Sequence, residues 1–183
     1  GIDPLELINK YGTDATRFGL IYQTLGNQDM RFNEDTMITG RKFCNKLWNA
    51  TRFVLKQISS SKLKVQSLKI KSQNLTKADK VILKQLEKTI KMVNKDLGNF
   101  RFGQPLHSLY KFFWHDFCDR YIEISKKQLA DAKLKRNTEM VLLCVLANAI
   151  KLFHPFIPFI TEEIWQTLPI KNKKMLIIEN WPI

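Results

Sequence analysis

Glycine and proline are scarce in this chain of 183 residues, with 7 and 6 copies. That argues against a turn-rich β-sandwich and leaves no glycine-rich loop to cradle a phosphate. Only three cysteines occur, Cys44, Cys118 and Cys144. They are far apart, odd in number and without C-x-x-C spacing, which excludes a disulfide framework and a cysteine zinc site. Reduced core thiols in a cytoplasmic protein are the expectation. No apolar run approaches the length of a membrane span, and no secretory leader pattern is seen. Acids are outnumbered, 17 against 30 Lys+Arg, for a net charge of +13. Such a surplus favours a polyanionic partner, nucleic acid before an anionic membrane, although a lysine-rich solvated surface would give the same sum.

What is present is a helical core. Hydrophobic residues make up 44% of the chain, including 12 Phe and 4 Trp, and almost every segment repeats them at helical spacing. Asp3, Pro4 and Gly12 mark the start and stop of a first short helix, and a second ends at Gly26. A long helix is expected over 34–58, its buried stripe formed by Met37, Cys44, Leu47, Trp48, Val54, Leu55 and Ile58. Residues 59–75 read as a polar, mobile link. Thr76 and Asp79 have capping-box spacing at the head of a helix over 76–97 that carries a lysine stripe on its outer side. A further helix over 104–128 would bury Leu106, Leu109, Tyr110, Phe113, Phe117, Tyr121 and Ile124. The segment "MVLLCVLANAIKLF" is apolar nearly all round and should be the central helix. Pro155 and Pro158 break the chain before a last short helix, and an extended tail with a hint of strand follows. The fold class is therefore all-α: an antiparallel helical bundle with short N-terminal helices and a C-terminal tail.

At 3.6 residues per turn the 34–58 helix places Lys42, Lys46, Asn49, Phe53 and Lys56 on one line, opposite the buried stripe, with Arg41, Asn45 and Arg52 beside it. An aromatic ring among cations and amides is how unpaired bases are held, the ring stacking while the cations meet phosphates. The alternative is that Phe53 covers a neighbouring helix or the end of the 59–75 link. On the 104–128 helix the same wheel turns Ser108, Lys111, His115, Cys118, Ile122 and Lys126 outward, with Glu123 adjacent. A carboxylate there can accept from the exocyclic amine of cytosine or adenine. Against this, Ile122 could cover a third helix and Glu123 could pair with Arg120 or Lys126. His115, Cys118 and Asp119 on one helix make a poor metal site without a second cluster. Asp14 and Arg17, three apart, suggest a local ion pair.

Five blocks carry a resemblance: "GIDPLELINKYGTDATRF", "GNQDMRF", "NKLWNATRFVL", "FFWHDFCDRYIEISK" and "HPFIPFITEEIWQTL". In this order they resemble the C-terminal half of the valyl-tRNA synthetases, class I aminoacyl-tRNA synthetases. The equivalent domain of isoleucyl-tRNA synthetase and a stand-alone basic helical protein-interaction or RNA-binding domain are the other readings. The resemblance implies an ATP- and magnesium-dependent valine–tRNA ligase whose catalytic signatures, editing domain and C-terminal arm are not in this sequence, so no cofactor is expected here. It implies a connecting segment over 1–31, an anticodon-binding bundle over 32–168 and a tail over 169–183. It also implies as partners the anticodon stem-loop of valine tRNA and the ligase's own catalytic domain, with no membrane role and a monomeric state. Asn49, Arg52, Phe53, Ile122 and Glu123 match the family's contact regions.

Overall fold

The computed structural model describes residues 3–24, 32–59, 68, 70 and 74–183. The helix stop expected at Gly26 and most of the link expected at 59–75 therefore fall outside the described residues. The elements run α1 (Pro4–Tyr11), α2 (Thr13–Tyr22), α3 (Asp35–Ser59), α4 (Lys77–Gly98) and α5 (Gly103–Lys111). A π-helical stretch (Phe112–Ile122) leads directly into α6 (Glu123–Ala130), followed by α7 (Ala132–Phe153), α8 (Pro158–Thr167) and one 3-10 turn (Leu176–Ile178). Among the described residues no β-strand forms, so the strand hinted at in the tail is absent.

Helix ends follow the local chemistry. Asp3 accepts from the Leu5 N–H at 2.8 Å, Pro4 occupies the first turn, and Gly12 ends α1 at φ +92°, a conformation that favours glycine. Thr76 and Asp79 form the reciprocal capping box, at 2.9 and 3.1 Å. Aspartate suits the second position because its other oxygen accepts from the Tyr121 hydroxyl at 2.6 Å, tying α4 to the π-helical stretch.

The centre is α7, whose residues Val141 to Ala147 are all buried. Phe43 of α3 meets Phe153 of α7 and Phe18 of α2 at ring distances of 4.8 and 5.1 Å. The stripe on α3 appears as expected at Met37, Leu47, Val54 and Ile58, all buried, while Trp48 remains 38% exposed. The three cysteines are free, and burial pushes the thiols of Cys44 and Cys118 up to about 12.

The 104–128 region departs from the wheel. Cys118 and Ile122, expected outside, are 6% and 7% exposed, whereas Ile124, expected inside, is 46% exposed. The cause is the π-helical winding over Phe112–Ile122. Its i→i+5 bonding gives roughly 4.4 residues per turn, about 82° each instead of 100°. On that wheel the buried set Phe112, Phe113, Phe117, Cys118, Tyr121 and Ile122 falls within about 130°, one continuous face. On an α-helical wheel the same six scatter around the axis.

The N-terminal helices are clamped to the far end of the chain. The Asp14 carboxylate accepts from the N–H groups of Ile160 (2.6 Å) and Phe159 (3.3 Å) at the start of α8. Arg17 donates to the carbonyls of Phe156 (3.2 Å) and Pro155 (2.9 Å). The pair expected to bind each other instead grip the proline corner, because a first helical turn presents unpaired N–H groups and a last turn unpaired carbonyls. His107 is half-buried, its ring stacked on Tyr22 at 3.6 Å. The tail is fastened by Trp181, whose indole N–H donates to Asn94 at 2.6 Å, and by Lys151, which donates to the Asn180 carbonyl at 2.9 Å.

Candidate nucleic-acid interface

Because α3 winds regularly, its outer face is as the sequence indicates. Lys42, Asn45, Asn49, Arg52 and Lys56 are exposed, and Lys46 is half-buried. Phe53 is also half-buried and leans on the core cluster. Its ring is thus seated on one side and open on the other, part way between the two readings the sequence allowed.

The second face comes from the π-helical stretch. Lys111, the last residue of α5 just before it, and His115 within it are exposed. Lys46 reaches across from α3, donating to Asp119 at 3.0 Å and lying 5.0 Å over the Trp114 ring. The other Asp119 oxygen meets His115 Nδ1 at 3.2 Å. Burial raises the Asp119 carboxyl, but the Lys46 ammonium and the His115 ring outweigh it and hold the group below its usual range. The expected residues Lys46 and His115 are therefore brought together, through an aspartate that sequence reasoning treated only as a weak metal ligand. Its signal was its position four residues after His115, one helical turn away. Among the described residues no group of three metal-ligating side chains forms.

Glu123 is exposed, and both its oxygens accept from Lys126 at 2.7 Å, the local pairing the sequence left open. Ile122 is interred, so the expectation of an aliphatic side chain turned outward beside Phe53 is corrected. The π-helical winding rotates it into the core, and it supports the surface from below.

A helical bundle with one long cationic face and a seated aromatic ring narrows the possibilities, and comparison with known proteins decides among them. The profile of the anticodon-binding domain of tRNA ligases matches residues 79–183. The chain belongs to this family. Over its whole length the anticodon-binding domain is 43% identical to a valine–tRNA ligase of Pseudothermotoga lettingae and 41% identical to that of Thermotoga maritima. It spans 20% of the length of each. Among solved structures it superposes with a TM-score of 0.78 on Mycobacterium tuberculosis methionyl-tRNA synthetase, covering 95% of this chain and 36% of that one at 18% identity. It superposes with a TM-score of 0.74 on the leucyl enzyme in a ternary complex with tRNA from Agrobacterium radiobacter, covering 99% of this chain and 20% of that one at 20% identity. These two likenesses establish the fold of the anticodon-binding domain: the helical bundle is shared while most side chains differ.

Proposed function

We propose that this domain is the tRNA-reading module of a valine–tRNA ligase, engaging the anticodon stem-loop of valine tRNA so that a catalytic portion can attach valine. The observation that carries the reading is the whole-chain similarity of 43% to a valine–tRNA ligase. The α3 face is the contact surface. Lys42, Arg52 and Lys56 meet phosphates, Asn45 and Asn49 offer amide groups to base edges, and Phe53 stacks a splayed base. A ring already held against the core loses little further freedom when a base lies on it. Lys46, Lys111 and His115 extend the surface along the π-helical stretch. Glu123, whose side chain is 59% exposed, leaves Lys126 to accept from an exocyclic amine, and Ile122 fixes the backbone beneath it.

In this reading residues 1–31 join the bundle to the catalytic portion and 169–183 lead away from it. ATP and magnesium act in that catalytic portion, the ligase works in the cytoplasm as a monomer, and this stretch does no chemistry.

The test is binding to a valine tRNA anticodon hairpin against one with a scrambled loop. Phe53→Ala should weaken hairpin binding by about 1–3 kcal/mol, the value of one stacked base, with helicity unchanged by circular dichroism. Equal binding of both hairpins by the wild-type domain would defeat the reading.

A further inference from the structure

We propose that the outer face of α4, on which the tRNA reading makes no demand, docks an acidic amphipathic helix from a protein partner. Two adjoining hollows of about 380 and 660 Å³ run along this face and share Val81 and Gln85. The floor is aliphatic and open to solvent: Val81 is 54% exposed, Met92 40% and Ile124 46%. Ile124 reaches the groove because the π-helical winding turned it outward.

Cations border both hollows. Lys77 and Arg120 flank the first hollow, and Lys84, Lys88, Lys91 and Lys95 flank the second. The acids present are already engaged, Asp116 by Arg120 and Glu87 by Lys91. Among the described residues Lys77, Lys84, Lys88 and Lys95 form no ion pair.

Apolar floor and cationic border together select the occupant. A second copy of this chain would set lysine against lysine. RNA would be met by the lysines, but single-stranded bases are held by aromatic faces, and among the described residues the one aromatic lining residue, Tyr121, is buried with its hydroxyl bound to Asp79. A helix with an apolar stripe and flanking glutamates satisfies both parts, in the helix-in-groove mode. From Lys77 to Lys95 the face is about 27 Å long at 1.5 Å per residue, which matches a partner helix of about 18 residues.

The experiment titrates the 183-residue chain with two labelled 18-residue peptides of one composition, rich in leucine and glutamate. In one, leucines recur at i, i+4, i+7 and i+11; in the other they are spread around the helix. The striped peptide should bind at least tenfold more tightly, and Val81→Asp with Met92→Asp should remove that preference while anticodon-hairpin binding is unchanged. Lys84→Glu with Lys88→Glu should weaken the striped peptide at least tenfold and is a check that leaves the floor intact. Equal binding of the two peptides would overturn the proposal. So would a Lys84→Glu/Lys88→Glu variant that loses the hairpin but keeps the peptide, which would assign the face to RNA.

Discussion

Two side chains have environments with measurable consequences. Glu139 on α7 is fully buried, and neither carboxylate oxygen has a hydrogen-bond partner among the described residues. A buried polar group left unpaired costs about 1–3 kcal/mol. Glu139→Leu, close in volume, should therefore raise the unfolding free energy read from urea titration by a similar amount, and a lower value would show that the carboxylate has a stabilising partner. His154 sits at the proline corner with Nδ1 2.9 Å from the Thr161 hydroxyl. Burial lowers its pKa, against the opposing pull of Glu162 and Asp14. Below about 6.5, the ordinary histidine value, the unfolded chain takes up a proton that the folded chain resists. Stability should hold above that pH and decline as pH falls through it, and His154→Gln should flatten the decline in thermal melts.

At the scale of the element, the π-helical stretch makes a claim opposite to that of a regular wheel. Ile122→Ala should cost about 2–5 kcal/mol as a buried truncation, whereas Ile124→Ala should cost under about 0.5 kcal/mol, as exposed sites do. Chemical denaturation of the two variants checks the order; the reverse ranking would mean an α-helical winding. This stretch also marks how far the sequence could be read. Caps at Asp3, Thr76 and Asp79, the stripe on α3 and the nearly all-apolar later part of α7 were legible because each is set by neighbours three or four residues away. The doublets Phe112–Phe113, Phe117–Cys118 and Tyr121–Ile122 did carry the π period, spaced by five and four. A fixed angle of 100° per residue turns that regularity into scatter, and so moved Ile122 and Cys118 to the wrong side. The grips of Asp14 and Arg17 were illegible for another reason: their partners are backbone groups on a corner far along the chain, which no local pattern announces. Of the contact surface, the α3 face was legible, while Asp119 as the bridge between Lys46 and His115 needed two elements side by side.

The whole molecule carries +13, yet only some of that charge should count toward RNA. If four or five cations of α3 and the π-helical stretch meet phosphates, the logarithm of hairpin affinity should fall against that of salt with a slope of about −3, given roughly −0.7 per single-stranded contact. Arg52→Gln should make the slope shallower by about 0.7, and Lys84→Gln on α4 should leave it alone. A slope near zero would mean that charge is not what holds the hairpin.

The clamp between α2 and the proline corner also has a bearing on time. Arg17 leads its carbonyl partner by 139 residues. At about 5–20 residues per second of synthesis, its guanidinium waits roughly 7–30 s for that carbonyl to be made. Phe18, on the same helix, finds Phe43 far sooner. The first two helices are thus loosely moored on one side while the rest of the bundle is still being translated, and the newborn domain fastens its beginning only after its end has arrived.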